Sequence, residues 1–183
     1  MGLDMYLSKR TYVKNWDFQP PEERHEFSIT KNGEPVSYIN NSRISQIVEN
    51  VMYWRKSNQI HGWFVENVQE GEDDCREYYV SIEKLQSLID DCNKVIEYLE
   101  NSKKVKKEVV VGWENGKEIK GEIDVYDNTE VADELLPTTG GFFFGSTEYD
   151  EWYMKDLKNT VEVLNGVLQE DNSKASFYYS SSW

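Results

Sequence analysis

Residues Ser42 to Gln69 read SRISQIVENVMYWRKSNQIHGWFVENVQ, contain no proline, and hold a single glycine, Gly62. Ile44, Ile47, Val51, Trp54, Asn58, His61, Val65 and Val68 succeed one another at alternating steps of three and four residues, the spacing that places side chains on one stripe of a helix. The pattern predicts one long helix, with Ser42 as its cap. The stripe is apolar at both ends and polar in the middle, so a straight helix carries Arg55, Asn58 and His61 towards the core, where Asp4, Asp73 or Asp150 could supply a counter-charge for Arg55. A second reading stands beside this one. Ile60, Phe64 and Val68 shift the apolar face relative to Ile44, Val48 and Val51, and a bend near Ser57 would release Arg55 and Asn58 to solvent.

Working outward, Gly2 to Val13 has the composition of a strand, which would put Met1 to Leu7 inside the fold. Trp16 to Arg24 reads as a surface loop, and Glu26–Thr30 with Pro35–Ile39 as a hairpin around Asn32-Gly33. Arg76–Val80 is a short strand, followed by Ser81 as the cap of a helix whose stripe is Ile82, Leu85, Ile89, Cys92, Ile96 and Leu99, widened by Leu88 and Val95. Cys92 in that stripe is a small buried hydrophobe. The segment VVVGWENGKEIKGEIDVY is a hairpin turning at Asn115-Gly116. A last helix starts near Thr147 with Met154, Leu157, Val161, Leu164 and Leu168 facing inward, and FYYSSSW is a terminal strand. The expected fold is α+β, one domain of residues 1–183, with a mostly antiparallel sheet and three main helices.

Six Trp, twelve Tyr and seven Phe argue for a substantial core, and two cysteines are too few for a disulfide scaffold. With no apolar run of membrane length or signal-sequence type, the expectation is a soluble protein of the cytoplasm, without a membrane association. The net charge of −14 disfavours direct nucleic-acid binding and favours a basic protein partner. From Gly121 to Met154 there is no Lys or Arg, while Glu122, Asp124, Asp127, Glu148, Asp150 and Glu151 fall inside that stretch. It also contains LPTTGGFFFGST, a loop whose aromatics must plug the core or face a partner.

Motifs for chemistry are weak. His61, Asp73, Asp74 and Cys75, or His25 with Glu22, Glu23 and Glu26, lack the ligand spacing of a zinc site. Ser146 has no G-x-S-x-G context, and Gly140-Gly141 lacks the lysine and spacing of a phosphate loop. No cofactor, metal or catalytic residue is expected.

The opening MGLDMYL, the central WRKSNQIHGWFVENVQEGEDDC with YYVS, the block LPTTGGFFFGSTEYDEWYMKDL and the terminal FYYSSSW together resemble a family of small proteins of phages, plasmids and bacterial genomes. In length and distribution they are similar to a type II anti-CRISPR inhibitor of Cas9. The resemblance implies a non-enzymatic protein of the bacterial host's cytoplasm that binds the guide-loaded nuclease. The contact surface would then comprise Glu70, Glu72, Asp73 and Asp74, with Glu122, Asp124, Asp127 and Glu148 to Glu151, and Phe142, Phe143, Phe144, Tyr149 and Trp152 as apolar anchors. The competing expectation is a small enzyme or ligand-binding protein with a pocket around Arg55, Asn58, His61 and the Gly140–Ser146 loop.

Overall fold

A computed structural model of the chain describes residues 2–14 and 16–183. Strand β1 (Asp4–Tyr12) alternates with period two, so that Met5, Leu7 and Lys9 are buried while Tyr6 and Tyr12 are exposed. Leu3, just before it, is fully buried; Met1, expected inside with it, lies outside the described residues. The first hairpin exists but is shorter than expected. Strands β2 (Thr30–Lys31) and β3 (Glu34–Pro35) pair across Asn32 and Gly33, both at positive φ.

The stretch from Ser42 to Gln69 is not one helix. Asn41–Arg43 form a single 3-10 turn in which the Ser42 N–H donates to the Asn40 side chain at 3.1 Å, so Ser42 caps no helix. Strand β4 (Gln46–Arg55) follows, and helix α1 (Asn58–Asn67) begins only after Lys56, whose φ of 59° turns the chain. Two local facts explain the difference. QIVENVMYWR is dense in β-branched and aromatic residues, and from Met52 to Arg55 it alternates buried and exposed. Ile47, Val51 and Trp54 also satisfy a helical spacing, but the antiparallel ladder to β1, from Asp4–Arg55 to Tyr12–Gln46, pairs the backbone of both segments.

Beyond α1 come β5 (Tyr78–Val80) and the long helix α2 (Ile82–Glu100), whose Ser81 Oγ accepts from the Lys84 N–H at 3.3 Å. Its stripe packs inward as expected except for Ile82, which is exposed at the first turn. Burial among apolar neighbours pushes the Cys92 thiol far up, the behaviour of an inert core cysteine. Strands β6 (Lys104–Glu114) and β7 (Lys117–Tyr126) form the second hairpin, with Asn115 at φ 50° and Gly116 at φ 76° supplying its two-residue turn.

Helix α3 (Glu130–Leu135) was not anticipated, and α4 (Glu151–Leu168) starts later than Thr147. Its cap is Asp150, whose Oδ1 accepts from the N–H groups of Trp152 at 2.8 Å and Tyr153 at 3.0 Å. Strand β8 (Ala175–Ser182) closes the chain.

The result is α+β. Four α-helices and eight strands, all paired antiparallel, lie among the described residues, with α1, α2 and α4 as the three main helices and α3 as a short fourth. The main sheet runs β4-β1-β8-β5, which places the N-terminal and C-terminal strands side by side at its centre. One face of it carries Met5, Leu7, Trp54 and Tyr179 into a core shared with α1, α2 and α4. Phe64 of α1 stacks on Tyr179 with ring centroids 3.9 Å apart, and the Trp54 indole donates to Thr160 of α4 at 2.8 Å. These contacts fix α1 on the sheet and set the orientation of its polar side chains.

Candidate functional site

Arg55, Asn58 and His61, grouped by helical spacing, are separated by the β4–α1 break. Arg55 ends a strand, is exposed, and faces Asp4 across the ladder without an ion pair among the described residues. Asn58 is buried at the start of α1 and uses its whole amide. Its Nδ2 donates to the carbonyls of Phe144 at 3.1 Å and Ser146 at 2.8 Å, and its Oδ1 accepts from the Thr139 N–H at 2.8 Å. It therefore clamps the loop 137–147 onto α1. The bend expected near Ser57 is a complete change of element, and it frees Arg55 while leaving Asn58 inside.

His61, one turn further on, is also buried and paired at both ring nitrogens. Nδ1 lies 2.8 Å from the Tyr179 hydroxyl and Nε2 lies 3.1 Å from Asp73 Oδ2. A carboxylate only accepts, so Nε2 carries the ring hydrogen and Nδ1 accepts from Tyr179. The second Asp73 oxygen accepts from the Trp183 indole at 3.1 Å. This chain of four side chains ties α1, the loop after it and the end of β8 together. Burial, with the Asp73 charge adding to it, pushes the Tyr179 phenol well above its ordinary value.

Two concavities flank the clamped loop. One, of about 460 Å³, is lined by His61, Gly62, Trp63, Asp73, Glu134 and Phe144 among others. The other, of about 330 Å³, holds Arg55, Lys56, Gln59, Glu148 and Asp156. Asp156 is raised above the ordinary carboxyl value, chiefly by burial, against the opposing effect of Ser57 and Gln59. The Ser57 hydroxyl, fully buried nearby, finds no well-aligned hydrogen-bond partner. Arg55, Asn58 and His61 therefore do not converge on one pocket. Asn58 lines neither hollow, and the other two residues belong to different ones.

The acidic residues separate into two groups. Glu122 and Asp124 on β7 meet Glu151 and Trp152 at the start of α4, around a shallow hollow of about 270 Å³ that also contains Lys104 and Lys106. Trp152 is 63% exposed, with the Lys155 ammonium 4.8 Å from its ring centroid. Asp127 is exposed at the end of β7. Several neighbours are less available than their sequence suggested. Asp124 pairs with Lys106 at 3.0 Å and Glu148 with Lys107 at 2.6 Å, Asp150 is the buried helix cap, and the Tyr149 hydroxyl donates to Asp133 at 2.5 Å. Burial and the Asp133 bond push the Tyr149 phenol up to about 12.

Glu70, Glu72, Asp73 and Asp74 sit elsewhere, in the loop after α1. Asp73 is held by His61 and Trp183, and Asp74 by Arg76 and Tyr78. Partial desolvation of Asp74 is outweighed by hydrogen bonds from the Arg76 backbone, the Arg76 side chain and Tyr78, which hold its carboxyl below the usual range. The three phenylalanines divide their roles. Phe142 is 96% exposed, the Phe143 carbonyl accepts from the Leu3 N–H at 2.9 Å, and Phe144 packs edge-on against His61 with centroids 5.4 Å apart.

The lysines of β6 were missed as partners of the acids. Pairing outward from the Asn115-Gly116 turn sets Lys106 opposite Val125, and a bulge at Val111 shifts the register to bring Asp124 opposite it, so the signal was present only to within one residue. No comparable signal links His61 to Tyr179 or Asp73 to Trp183, because those contacts depend on β8 lying beside β1. No family model, curated protein or solved structure matches the chain. No helix among the described residues is long and apolar enough to cross a membrane.

Proposed function

We propose that the chain acts by binding and carries out no chemistry of its own, occupying a basic surface of a partner protein with the corner formed by β7 and the start of α4. The observation that supports this reading is the meeting of Glu122 and Glu151 with the exposed Trp152, an aromatic anchor beside carboxylates that form no ion pair among the described residues. His61 and Asn58, by contrast, spend their polar atoms on structural bonds. The resemblance to a type II anti-CRISPR protein supplies the partner, a guide-loaded Cas9, whose nucleic-acid channels are positively charged.

The test is a pull-down and DNA-cleavage assay with guide-loaded Cas9, comparing the parent protein with the triple variant Glu122→Lys, Glu151→Lys, Trp152→Ala. The parent should co-purify and reduce cleavage, and the triple variant should do neither while remaining folded. Absence of binding and inhibition across several such nucleases discards the nuclease as partner. Equal binding by the triple variant discards this corner as the contact face.

A further inference from the structure

The pocket beside His61 has a chemistry of its own, independent of the acidic corner. Its walls are apolar, formed by Trp63, Val65, Leu135, Pro137 and Phe144, and its charged lining is three carboxylates, Glu66, Asp73 and Glu134, with no Lys or Arg. At about 460 Å³ it has the size of a small-molecule site.

A second feature bears on the same wall. Gly62 lies inside α1, where glycine weakens a helix, yet its φ is not in the left-handed region and a Cβ built on it would meet only Thr139 Oγ1, at 3.8 Å. Neither the backbone nor close packing requires a glycine there. Its effect is to leave one wall of the pocket without a side chain.

From these two observations we infer that this pocket is a binding site for a small organic cation with a flat apolar body and one ammonium or amidinium group. The body lies against the apolar wall of Trp63 and Phe144, and the cationic head faces the carboxylates at the rim. An anion of the same shape meets three like charges and is rejected. His61 acts through Asp73 in this scheme. It and Tyr179 hold Asp73 in place from behind, which makes them positioning residues.

Tryptamine and indole-3-propionate share a ring and differ in the sign of the terminal charge, which makes them matched probes for calorimetry and protein-observed NMR on the full chain. Tryptamine should bind at millimolar concentration or below, shifting the amide signals of Gly62 and Thr139 and the Trp63 indole signal, and indole-3-propionate should not. Glu134→Gln, an exposed change that leaves the fold intact, should weaken tryptamine about threefold to tenfold by removing one charge partner. Gly62→Leu should abolish binding by filling the pocket, with thermal unfolding checking that the variant is folded. The inference is overturned if tryptamine fails to bind, if both probes bind equally, if the shifts fall outside the pocket, or if tryptamine binds folded Gly62→Leu as it binds the parent.

Discussion

Asn58 joins α1 to the loop 137–147 through three hydrogen bonds, to the carbonyls of Phe144 and Ser146 and from the Thr139 N–H. Asn58→Ala leaves two carbonyls and one N–H without their partner, so it should destabilise the fold by about 2–4 kcal/mol in urea unfolding and speed amide exchange at Thr139. Asp156 makes the opposite prediction. Its carboxyl is raised above the usual value of 3.8, chiefly by burial, so the native state holds that proton more tightly than the unfolded chain. The associated stability is present below the ordinary value and is lost as pH rises through the raised one. Asp156→Asn removes the ionisation, so the variant should melt above the parent at pH 7, with the gap closing as pH falls through the raised value and gone below 3.8. Single residues were only partly legible in the sequence. Cys92 could be placed in the core from its own helical stripe, but the bonds of Asn58, to partners 81 to 88 residues away, and of His61 to Tyr179, 118 residues away, were not readable.

Elements were legible wherever one period dominated. The stripe of α2, the alternation of β1 and the Asn115-Gly116 hairpin each satisfy one template. The Ser42–Gln69 stretch satisfied two, because Ile47, Val51 and Trp54 fit a helix while Met52 and Trp54 fit a strand, and pairing with β1 decided between them. Helix α3 has six residues, too few to show a period. Two glycines show how position governs an element's tolerance. Gly166 is exposed in α4 with open space around its Cβ position, so Gly166→Ala should stabilise by about 0.5–1 kcal/mol in thermal or urea unfolding. Gly145 has φ +91°, and an added Cβ would lie 2.9 Å from the Lys56 Cβ. Gly145→Ala should cost about 2 kcal/mol or more by the same measurements, since both the backbone conformation and the contact oppose it.

At the scale of the molecule, the charge of −14 was legible from composition, but its effective distribution was not. Folding neutralises part of the acid-only stretch with Lys106 and Lys107 from the strand before it, and turns Asp150 inward as a cap. What remains exposed beside Trp152 is Glu122 and Glu151, while His61 is sealed behind Tyr179 and Asp73. That distribution ranks two substitutions for partner binding. Reversing Glu151 to Lys exchanges an attractive charge for a repulsive one at an exposed helix start, where screening is incomplete at low salt. His61→Ala removes a ring that is 2% exposed and bonded at both nitrogens, and acts on stability instead. Binding of the proposed nuclease partner should therefore fall by about tenfold or more for Glu151→Lys at low ionic strength, with the difference from the parent shrinking as salt is added. For His61→Ala the affinity of the folded fraction should stay near that of the parent while the melting temperature drops. Titrations at two salt concentrations measure both effects, and a larger affinity loss for His61→Ala would move the partner site from the β7–α4 corner to the face of α1.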